Sequence, residues 1–278
     1  MADSKDWAGD LGATWAETIE AMDAQLAPAT EHGLSALAAQ PGERIIDLGC
    51  GGGPTTLQIA DEVGPEGHVM GLDISPALAS IAASRGEALA QMEVVVADAA
   101  TFAFETAAHD ALFSRFGCMF FDEPIAAFQN LRGALKTGGR AVFTVWAEPK
   151  YNPWAMIPAS VGNEVLGPAE KLPPGAPGPF GWATPEIFEP ILSGAGFADL
   201  SYTEHEIQMA VGYGSDEDPI DRAVALAARI GPLARRLEEA PPEMVAKVLP
   251  VLRAKMTPFV KGGRVVLNGR IRVIRVTA

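Results

Sequence analysis

The chain has 278 residues, of which 48% are hydrophobic, so its apolar content is sufficient for a full core. Its 35 acidic and 21 basic side chains give a formal net charge of −14, which disfavours nucleic acid and anionic membranes as main partners. The N-terminal residues do not resemble a signal peptide, and no stretch approaches the ~20 apolar residues needed for stable membrane insertion. Two cysteines are too few for a disulfide framework, so a cytoplasmic location is expected.

The first half of the chain alternates predicted strands with predicted helices. Apolar residues that recur every three or four positions predict a helix over 11–39. The elements expected after it are a strand at 44–48, a helix from Pro54 to about Val63, a strand at 68–72, a helix capped by Ser75, strands at 93–97 and 111–114, a helix at 123–135, a turn at 136–139 and a strand at 140–146. Such alternation implies parallel βαβ units that bind ligands at the carboxyl ends of the strands.

The alternation stops at Glu148. Residues 149–181 are rich in proline, and their aromatic side chains favour a lid over a disordered segment. The remaining predictions are a helix at 184–192, a strand at 197–211, one or two helices at 216–257 interrupted by Pro232, Pro241-Pro242 and Pro250, and a strand at 264–276. We expect a single domain over 1–278, with a core of about 40–148, 184–211 and 262–278 and a lid or cap of about 1–39, 149–183 and 212–261.

The segment Asp47-Leu48-Gly49-Cys50-Gly51-Gly52-Gly53 contains the main functional signal. A carboxylate lies at the end of the first predicted strand, and glycines that follow it let the backbone turn tightly and approach a ligand. A dinucleotide would require a G-x-G-x-x-G pattern, but the third glycine position falls on Pro54 or Thr56. Asp47 would also repel a diphosphate, whereas it suits the sulfonium and ammonium groups of S-adenosylmethionine.

Two more carboxylates follow the next two predicted strands. Asp73 ends the second strand, where a carboxylate can accept hydrogen bonds from both ribose hydroxyls. Asp98, followed by the small Ala99, ends the third strand and can accept a hydrogen bond from the adenine amino group. Either residue can instead cap a helix or a turn.

These three signals, in this order, resemble those of class I S-adenosylmethionine-dependent methyltransferases, and especially the bacterial group related to ubiquinone and menaquinone biosynthesis. The similar segments include RIIDLGCGGG, GHVMGLDIS, VVVADAATFAF and HDALFSRFGCMFF. The resemblance implies an α/β, Rossmann-like methyltransferase fold with a mostly parallel seven-stranded sheet. Helices are expected on both faces of the sheet, with a helical and loop lid over the acceptor site.

The resemblance also implies roles for individual residues. S-adenosylmethionine, and its product S-adenosylhomocysteine, would contact residues from the N-terminal helix and from the ends of the first four strands: Trp15, Asp47, Gly49, Cys50, Gly51, Asp73, Ile74, Asp98, Ala99, Ser114, Arg115 and Phe116. For Trp15, packing in the core is an equally good interpretation. An apolar acceptor pocket is expected from Met119, Trp154, Phe180 and Trp182, although each of these side chains could equally fill the core.

The expected reaction is an in-line displacement at the sulfonium methyl group of S-adenosylmethionine, to which positioning of a small-molecule acceptor can contribute much of the catalysis. The Asn/Asp-Pro-Pro-aromatic tetrad of amine and amide methyltransferases is absent, because Ser114-Arg115-Phe116-Gly117 occupies its place. The four histidines, His32, His68, His109 and His205, are expected to have surface or structural roles, so no general base is assigned. No metal site is expected, and the pattern does not indicate an oligomeric state.

Two other functions are consistent with a glycine loop of this kind. A nicotinamide-dependent oxidoreductase would be expected to carry a Tyr-x-x-x-Lys pair, but none of Tyr151, Tyr202 and Tyr213 has a lysine four residues later. A non-catalytic sensor or scaffold that binds S-adenosylmethionine remains open, since a sensor and an enzyme would need the same cofactor residues.

Overall fold

The computed structural model describes residues 4–212, 214 and 218–278, without the side chains of Ser4 and Lys5. Its centre is one sheet, and the strands are β1 (Arg44–Leu48), β2 (His68–Asp73), β3 (Met92–Val96), β4 (His109–Arg115), β5 (Leu135–Trp146), β6 (Ala198–Val211), β7 (Val260–Lys261) and β8 (Arg264–Thr277). Seven strands lie in the order β3-β2-β1-β4-β5-β8-β6, and the two-residue β7 pairs with β8. The first five strands pair in parallel, while β8 is antiparallel to both β5 and β6. The α/β, mostly parallel sheet is therefore confirmed.

Helices flank this sheet. They are α1 (Ser4–Ala8), α2 (Asp10–Glu17), α3 (Ile19–Leu37), α4 (Pro54–Val63), α5 (Pro76–Arg85), α6 (Pro124–Ala134), α7 (Pro153–Leu166), α8 (Pro185–Gly194), α9 (Pro219–Arg229), α10 (Ala234–Glu238) and α11 (Pro242–Met256). Ser75 caps α5 by accepting a hydrogen bond from the N–H of Leu78 at 3.4 Å, as its sequence position predicts. No helix among the described residues is both long and apolar enough to cross a membrane.

The strands next to the glycine loop are buried because they are covered on both sides. In β1, Ile45, Ile46 and Asp47 are all 0% exposed, and β4 is buried from Ala111 to Ser114. Continuous apolar runs of this kind are typical of parallel strands with helices over both faces. The carboxyl ends of β1, β2 and β4 therefore meet at one edge of a rigid layer, which is the edge where the sequence predicts a ligand.

The predicted helix over 11–39 is wrong in one respect, because it is two helices. Thr18 separates α2 from α3 with φ −109° and ψ 14°, and its hydroxyl donates to the carbonyls of Thr14 and Trp15. The apolar spacing continues through this break, so a period count alone cannot detect it. The break lets α2 turn away from the sheet flank along which α3 packs.

The proline-based prediction for 216–257 is also corrected. The start of this range lies outside the described residues, and from Pro219 onward there are three helices rather than one or two. Pro250 lies inside α11 without ending it, although proline in a helix interior is costly. Burial of Val248, Leu252 and Met256 where α11 packs on α7 compensates for this cost. Likewise, the turn predicted at 136–139 is the irregular start of β5, with a register shift opposite β4.

The segment from Glu148 to Ala183, which we call the lid, is fixed to the sheet at both ends by Arg272. This β8 side chain is 4% exposed; its Nη2 lies 2.6 Å from Glu148 Oε2, and its Nη1 donates to the carbonyl of Ala183. Glu204 of β6 accepts from the Nε of Arg272 at 2.8 Å. Asn152 is fully buried and also ties the start of the lid to β8, by accepting from the N–H of Arg270 at 3.1 Å. The lid therefore has a fixed base.

Candidate functional site

The glycine loop leaves β1 in a left-handed turn. Gly49 and Gly51 have φ +66° and +57°, which favour glycine. A Cβ on Gly49 would lie 2.8 Å from the Cα of Gly117, so only glycine lets this loop approach the turn after β4 so closely. A Cβ on Gly51 would instead have no atom within 4 Å. Open space therefore lies above Gly51 at the carboxyl edge of the sheet.

Four of the backbone N–H groups of this loop donate within the protein. Those of Gly49 and Cys50 donate to the Leu72 carbonyl at 2.8 and 3.2 Å, and that of Gly53 donates to Cys50 at 3.0 Å. The N–H of Gly51 donates to Asp73 Oδ2 at 2.7 Å. A loop that binds a diphosphate would point such donors at its ligand. The donors are thus committed elsewhere, which disfavours the dinucleotide alternative.

Asp47 lies behind the loop and is fully buried. Its Oδ2 accepts from the hydroxyls of Thr55 and Thr56 on α4, each at 2.7 Å, whereas its Oδ1 has no partner among the described residues. Burial raises the pKa of this carboxyl, and the two threonine hydrogen bonds oppose that shift. Asp47 therefore joins β1 to α4 directly, and it supplies negative charge from beneath the loop.

Asp73 joins the loop to the end of β2. Its Oδ1 accepts from the N–H of Ser75 at 2.8 Å, and its Oδ2 accepts from Gly51. Burial raises the pKa of Asp73, and these backbone hydrogen bonds oppose the shift. Each carboxylate oxygen retains a lone pair for a further donor. Ile74, the next residue, is half-buried beside it.

Asp98 and Ala99 follow β3. The Asp98 carboxylate accepts from the N–H of Ala100 at 2.9 Å, as expected for a turn cap, and its outer edge is half-buried. Ala99 is 4% exposed, and its carbonyl accepts from the side-chain amide of Asn130 at 3.0 Å. The cap and the ligand interpretation of Asp98 are compatible, because an ionised carboxylate can accept several hydrogen bonds.

The three residues at the end of β4 differ in their partners. Ser114 is fully buried and donates to the Leu48 carbonyl at 2.8 Å, so its hydroxyl fixes β4 to β1. Arg115 extends beneath the groove between α3 and α4, where its Nη1 donates to the Thr30 hydroxyl at 2.6 Å. Phe116 has φ +66° and stacks on Trp146, with ring centroids 4.3 Å apart and planes 7° apart.

Cys50 lies inside the loop and is 2% exposed. Burial raises the pKa of its thiol well above the ordinary value, and the nearby charges of Asp47 and Asp73 raise it further. The thiol is therefore protonated at neutral pH and is not a nucleophile. Cys50 therefore has a structural role, as a small buried side chain where the glycine loop turns over the end of β1.

The helices α1 and α2, which we call the N-terminal cover, extend across the carboxyl ends of β2, β1 and β4. Gly12 packs so closely on the side chain of Ser75, after β2, that a Cβ there would lie 2.3 Å from its Oγ. Trp7 contacts Phe120, after β4, with ring centroids 5.2 Å apart. Because β1 lies between these two strands, the cover crosses above the glycine loop.

Trp7 is a residue that the sequence analysis missed. Its indole Nε1 is buried and has no partner among the described residues, and its ring lies 5.4 Å from that of Trp15. Trp15 therefore contacts Trp7, which in turn contacts Phe120 after β4. The signal was present in the sequence, since Trp7 precedes Leu11 and Trp15 at four-residue intervals.

The predicted acceptor residues divide into two groups. Trp154 and Phe180 stack with centroids 5.8 Å apart, and Trp154 also contacts Trp146, which in turn stacks on Phe116. The Trp154 Nε1 is buried without a partner in the described part of the chain. Met119 and Trp182 are each 2% exposed, and Trp182 packs among the core side chains of Phe128, Phe143 and Phe188.

The four histidines lie in two different regions of the protein. His68 and His109 begin β2 and β4, at the opposite edge of the sheet. His109 is 1% exposed, and burial lowers the pKa of its ring. His32 of α3 and His205 of β6 stack on each other with centroids 4.1 Å apart. None of the four is assigned as a general base.

Comparison with known proteins identifies the central segment. Residues 45–139 match a family described as a methyltransferase domain. Aklanonic acid methyltransferase DauC of a Streptomyces species is 34% identical over 107 residues, which cover 37% of this chain and 48% of that protein. The 2-phytyl-1,4-naphtoquinone methyltransferase of Synechococcus elongatus is 34% identical over 119 residues, covering 42% and 51%. The chain thus spans about half the length of the curated relatives it matches.

Solved structures agree on the fold. Phosphoethanolamine N-methyltransferase 2 of Haemonchus contortus has a TM-score of 0.52 and 18% identity, over 89% of this chain and 52% of that one. The [4+2]-cyclase SpnF has a TM-score of 0.58 and 15% identity, over 99% and 96%. At these identities the likeness concerns the fold alone. The match over residues 45–139 therefore makes this segment similar to a methyltransferase domain.

Proposed function

We propose that the protein transfers the methyl group of S-adenosylmethionine to a small apolar or aromatic acceptor. The observation that carries the proposal is the glycine loop, in which four N–H groups donate within the protein while Asp47 and Asp73 supply two carboxylates beside it. This arrangement suits a cationic ligand without phosphate groups. The matching family and the methyltransferases among the relatives support the same function.

The residues at the carboxyl edge of the sheet fit the parts of this cofactor. Asp73 retains lone pairs for two ribose hydroxyls, and Ile74 offers an apolar surface to the adenine ring. Asp98 and Ala99 would meet the adenine edge. Gly49, Cys50 and Gly51 would line the methionyl part, and the open space above Gly51 is where a side chain would collide with it. Trp7 and Trp15, on the cover, would exclude water from above.

S-adenosylmethionine supplies an activated methyl group, and the protein needs chiefly to align an acceptor with it. Phe116 would link the cofactor residues to the acceptor residues, since it follows β4 beside the glycine loop and stacks on Trp146. Trp154 and Phe180 continue this aromatic surface, so a flat or apolar acceptor would be oriented by stacking. Met119 and Trp182 would support that surface from the core. No general base is assigned, and acceptors that ionise readily would not require one.

The relatives point toward acceptors of the same kind. Two of them are named for aklanonic acid and for a 2-phytyl-1,4-naphthoquinone, the second of which combines a ring system with an apolar chain. An acceptor with such a ring would match the stacked aromatic side chains of the lid. We extend this substrate class to the present chain as part of the proposal.

A non-catalytic or non-methylating role is the second candidate. The observation that favours it is the cyclase SpnF, which shares the fold over 99% of this chain. Such a protein would bind the cofactor without consuming it. The two candidates therefore agree on binding and differ in turnover.

Calorimetry with S-adenosylmethionine, S-adenosylhomocysteine and NADPH tests the binding. We expect the first two to bind and NADPH not to bind, and the reverse result would overturn the proposal. Incubation with S-adenosylmethionine and a panel of phenols, naphthoquinols, amines and thiols tests turnover, with mass spectrometry to detect a methylated product. Binding without S-adenosylhomocysteine release for any acceptor would favour the second candidate.

A further inference from the structure

Two histidines lie against each other between α3 and β6, the strand at one edge of the sheet. The rings of His32 on α3 and His205 on β6 stack with centroids 4.1 Å apart and planes 21° apart. His205 is opposite Ile271 of β8, which in turn is opposite Trp146 of β5. The pair is therefore level with Trp146, towards the end of the sheet that carries the predicted site.

The contact suits two neutral rings. The Nε2 atom of His205 is 2.8 Å from the Thr203 hydroxyl, which can donate to a neutral imidazole nitrogen. Both rings are half-buried, and stacking removes part of each ring face from water. Burial lowers the pKa of His205, and the positive charge of a protonated His32 lowers it further. The arrangement therefore disfavours the protonated form of His205.

No carboxylate lies beside the rings on their own elements. The side chains one turn from His32 on α3, and those next to His205 on the same face of β6, are all uncharged: Pro28, Ala29, Ser35, Ala36, Thr203 and Ile207. Glu31 precedes His32 on α3 and is exposed. Neither ring forms an ion pair in the described part of the chain. A proton on either ring would thus lack a close counter-charge.

Charged side chains on the elements around the pair have other partners. These contacts are Arg115 (β4) with Thr30, Glu204 and Glu206 (β6) with Arg272 and Arg270 (β8), and Arg229 (α9) with Glu17 (α2). Glu204 and Glu206 also point to the opposite face of β6, where α8 packs against Tyr202. Arg275 of β8 shares the face of the pair, but it is four residues beyond Ile271, or about 13 Å along the strand.

Protonation of both rings would place two unit charges about 4 Å apart. Even in bulk water, their repulsion corresponds to about a fivefold change in an equilibrium constant, and partial burial increases it. Because the pKa of His205 is lowered by folding, the folded chain binds fewer protons than the unfolded chain. The stability that the contact contributes is therefore complete above the ordinary histidine pKa of 6.5, and it is lost as the pH falls below that value.

We propose that His32 and His205 form a pH-sensitive contact, which holds α3 on β6 when both rings are neutral and weakens when both are protonated. The N-terminal cover continues into α3 at Thr18, and α3 also supplies the Thr30 hydroxyl to which Arg115 donates. Release of α3 would therefore loosen the cover above the glycine loop. The inference goes beyond the proposed function, since it concerns control of access to the site.

Hydrogen exchange at pH 7.5 and 5.5 tests the contact, with rates corrected for the intrinsic pH dependence of exchange. In the unmodified protein, protection of the amides over 28–36 should fall by about fivefold or more at the lower pH, because the two charges repel each other. In His205→Gln, which cannot gain this proton, protection should be the same at both pH values. Unchanged protection in the unmodified protein, or an equal fall in the variant, would overturn the inference.

His68→Gln is the matched control. His68 is also half-buried, but it begins β2 at the opposite end of the sheet, where its Nε2 lies 3.4 Å from a Glu93 carboxylate oxygen. This variant should retain the full fall in protection over 28–36. If it abolished the fall as His205→Gln does, the pH dependence would not come from the stacked pair, and the inference would be wrong.

A second measurement follows the His205 ring directly. NMR titration of its ring protons should give a midpoint below 6.5 in the unmodified protein. The midpoint should be higher in His32→Gln, because the charge of His32 no longer opposes protonation of His205. The same midpoint in both proteins would show that the two rings titrate independently, which contradicts the proposed contact.

Calorimetry with S-adenosylhomocysteine connects the contact to the cover. From pH 7.5 to 5.5, the affinity of the unmodified protein should fall several-fold more than that of His205→Gln, because a loosened cover would bind this ligand less well. An equal fall in both proteins would overturn the control of the cover by the pair. Failure of the unmodified protein to bind at pH 7.5 would instead overturn the proposed function, while the exchange and titration results would still decide the contact.

Discussion

The predicted cofactor residues and the predicted acceptor residues are held by different interactions. At the ends of β1 and β2, carboxylates are bound by backbone N–H and threonine hydroxyl groups at 2.7–2.8 Å, so each polar atom has a fixed direction. At the end of β5 and in the lid, aromatic rings contact one another with centroids 4.3–5.8 Å apart. Directional contacts favour one ligand, whereas stacked rings accept a class of ligands. The proposed function thus pairs a specific cofactor side with a tolerant acceptor side.

The largest expected effect is on stability, and it distinguishes the buried Trp182 of the lid from the half-buried Trp154. Trp182→Ala should lower the free energy of unfolding by about 3–5 kcal/mol, because its buried ring packs among three phenylalanines. Trp154→Ala should lower the free energy of unfolding by clearly less, since Trp154 is half-buried. Urea unfolding of both variants measures the difference. Equal costs would mean that Trp154 also belongs to the core, and would weaken its assignment to the acceptor.

The next effect tests the fixed base of the lid. Arg272→Met should lower the free energy of unfolding by about 2–3 kcal/mol, less than for a fully buried pair, because the Glu148 and Glu204 side chains remain 25% and 39% exposed. Arg275→Met, on the exposed side of the same strand, should stay within about 0.5 kcal/mol. Hydrogen exchange over 149–183 should accelerate only in the Arg272 variant. Unchanged exchange there would show that the lid is held by its rings instead.

A smaller effect concerns the cofactor side. Asp73→Ala should weaken S-adenosylhomocysteine binding by about 1–3 kcal/mol, because the ribose hydroxyls lose a charged partner and the Gly51 N–H loses its acceptor. Asp61→Ala, an exposed position on α4, serves as the control in the same calorimetry. A folded Asp73 variant with unchanged affinity would remove this residue from the ribose site.

The smallest effect is a pH dependence from Asp47. Burial raises its pKa above the ordinary value of 3.8, so the native state retains a proton that the unfolded chain releases. The stability of the unmodified protein relative to Asp47→Asn should therefore fall as pH rises from 3.8 through the raised pKa, by at most about 1.4 kcal/mol per pH unit. Urea unfolding between pH 4 and 7 measures this difference.

Asp110→Asn is the control for this pH experiment. The N–H of Arg44 and the ammonium of Lys136 outweigh burial and lower the pKa of Asp110, so its own contribution should change little above about pH 5. A difference for Asp47 that does not vary with pH would indicate that its carboxyl is ionised throughout this range.

Much of the structure around the predicted cofactor residues could be predicted from the sequence, because it depends on short segments of the chain. The strand at 44–48, the Pro54 helix and the Ser75 cap each depend on short segments, and the structure confirms all three. The division of 11–39 at Thr18 and the continuation of α11 through Pro250 were not readable. Both depend on what each helix packs against, which a local period does not contain.

The sequence by itself determined the alternation of strands and helices, the carboxylate at the end of each of the first three strands, and the absence of a dinucleotide pattern. Only the tertiary structure decided which aromatic side chains adjoin Phe116, that Trp182 lies in the core, that Trp7 belongs to the cover, and that His32 stacks on His205. The physical reason is range: propensity, capping and turn chemistry act over a few residues, whereas tertiary packing joins side chains that are far apart in the chain, such as Trp7 and Phe120, which are 113 positions apart.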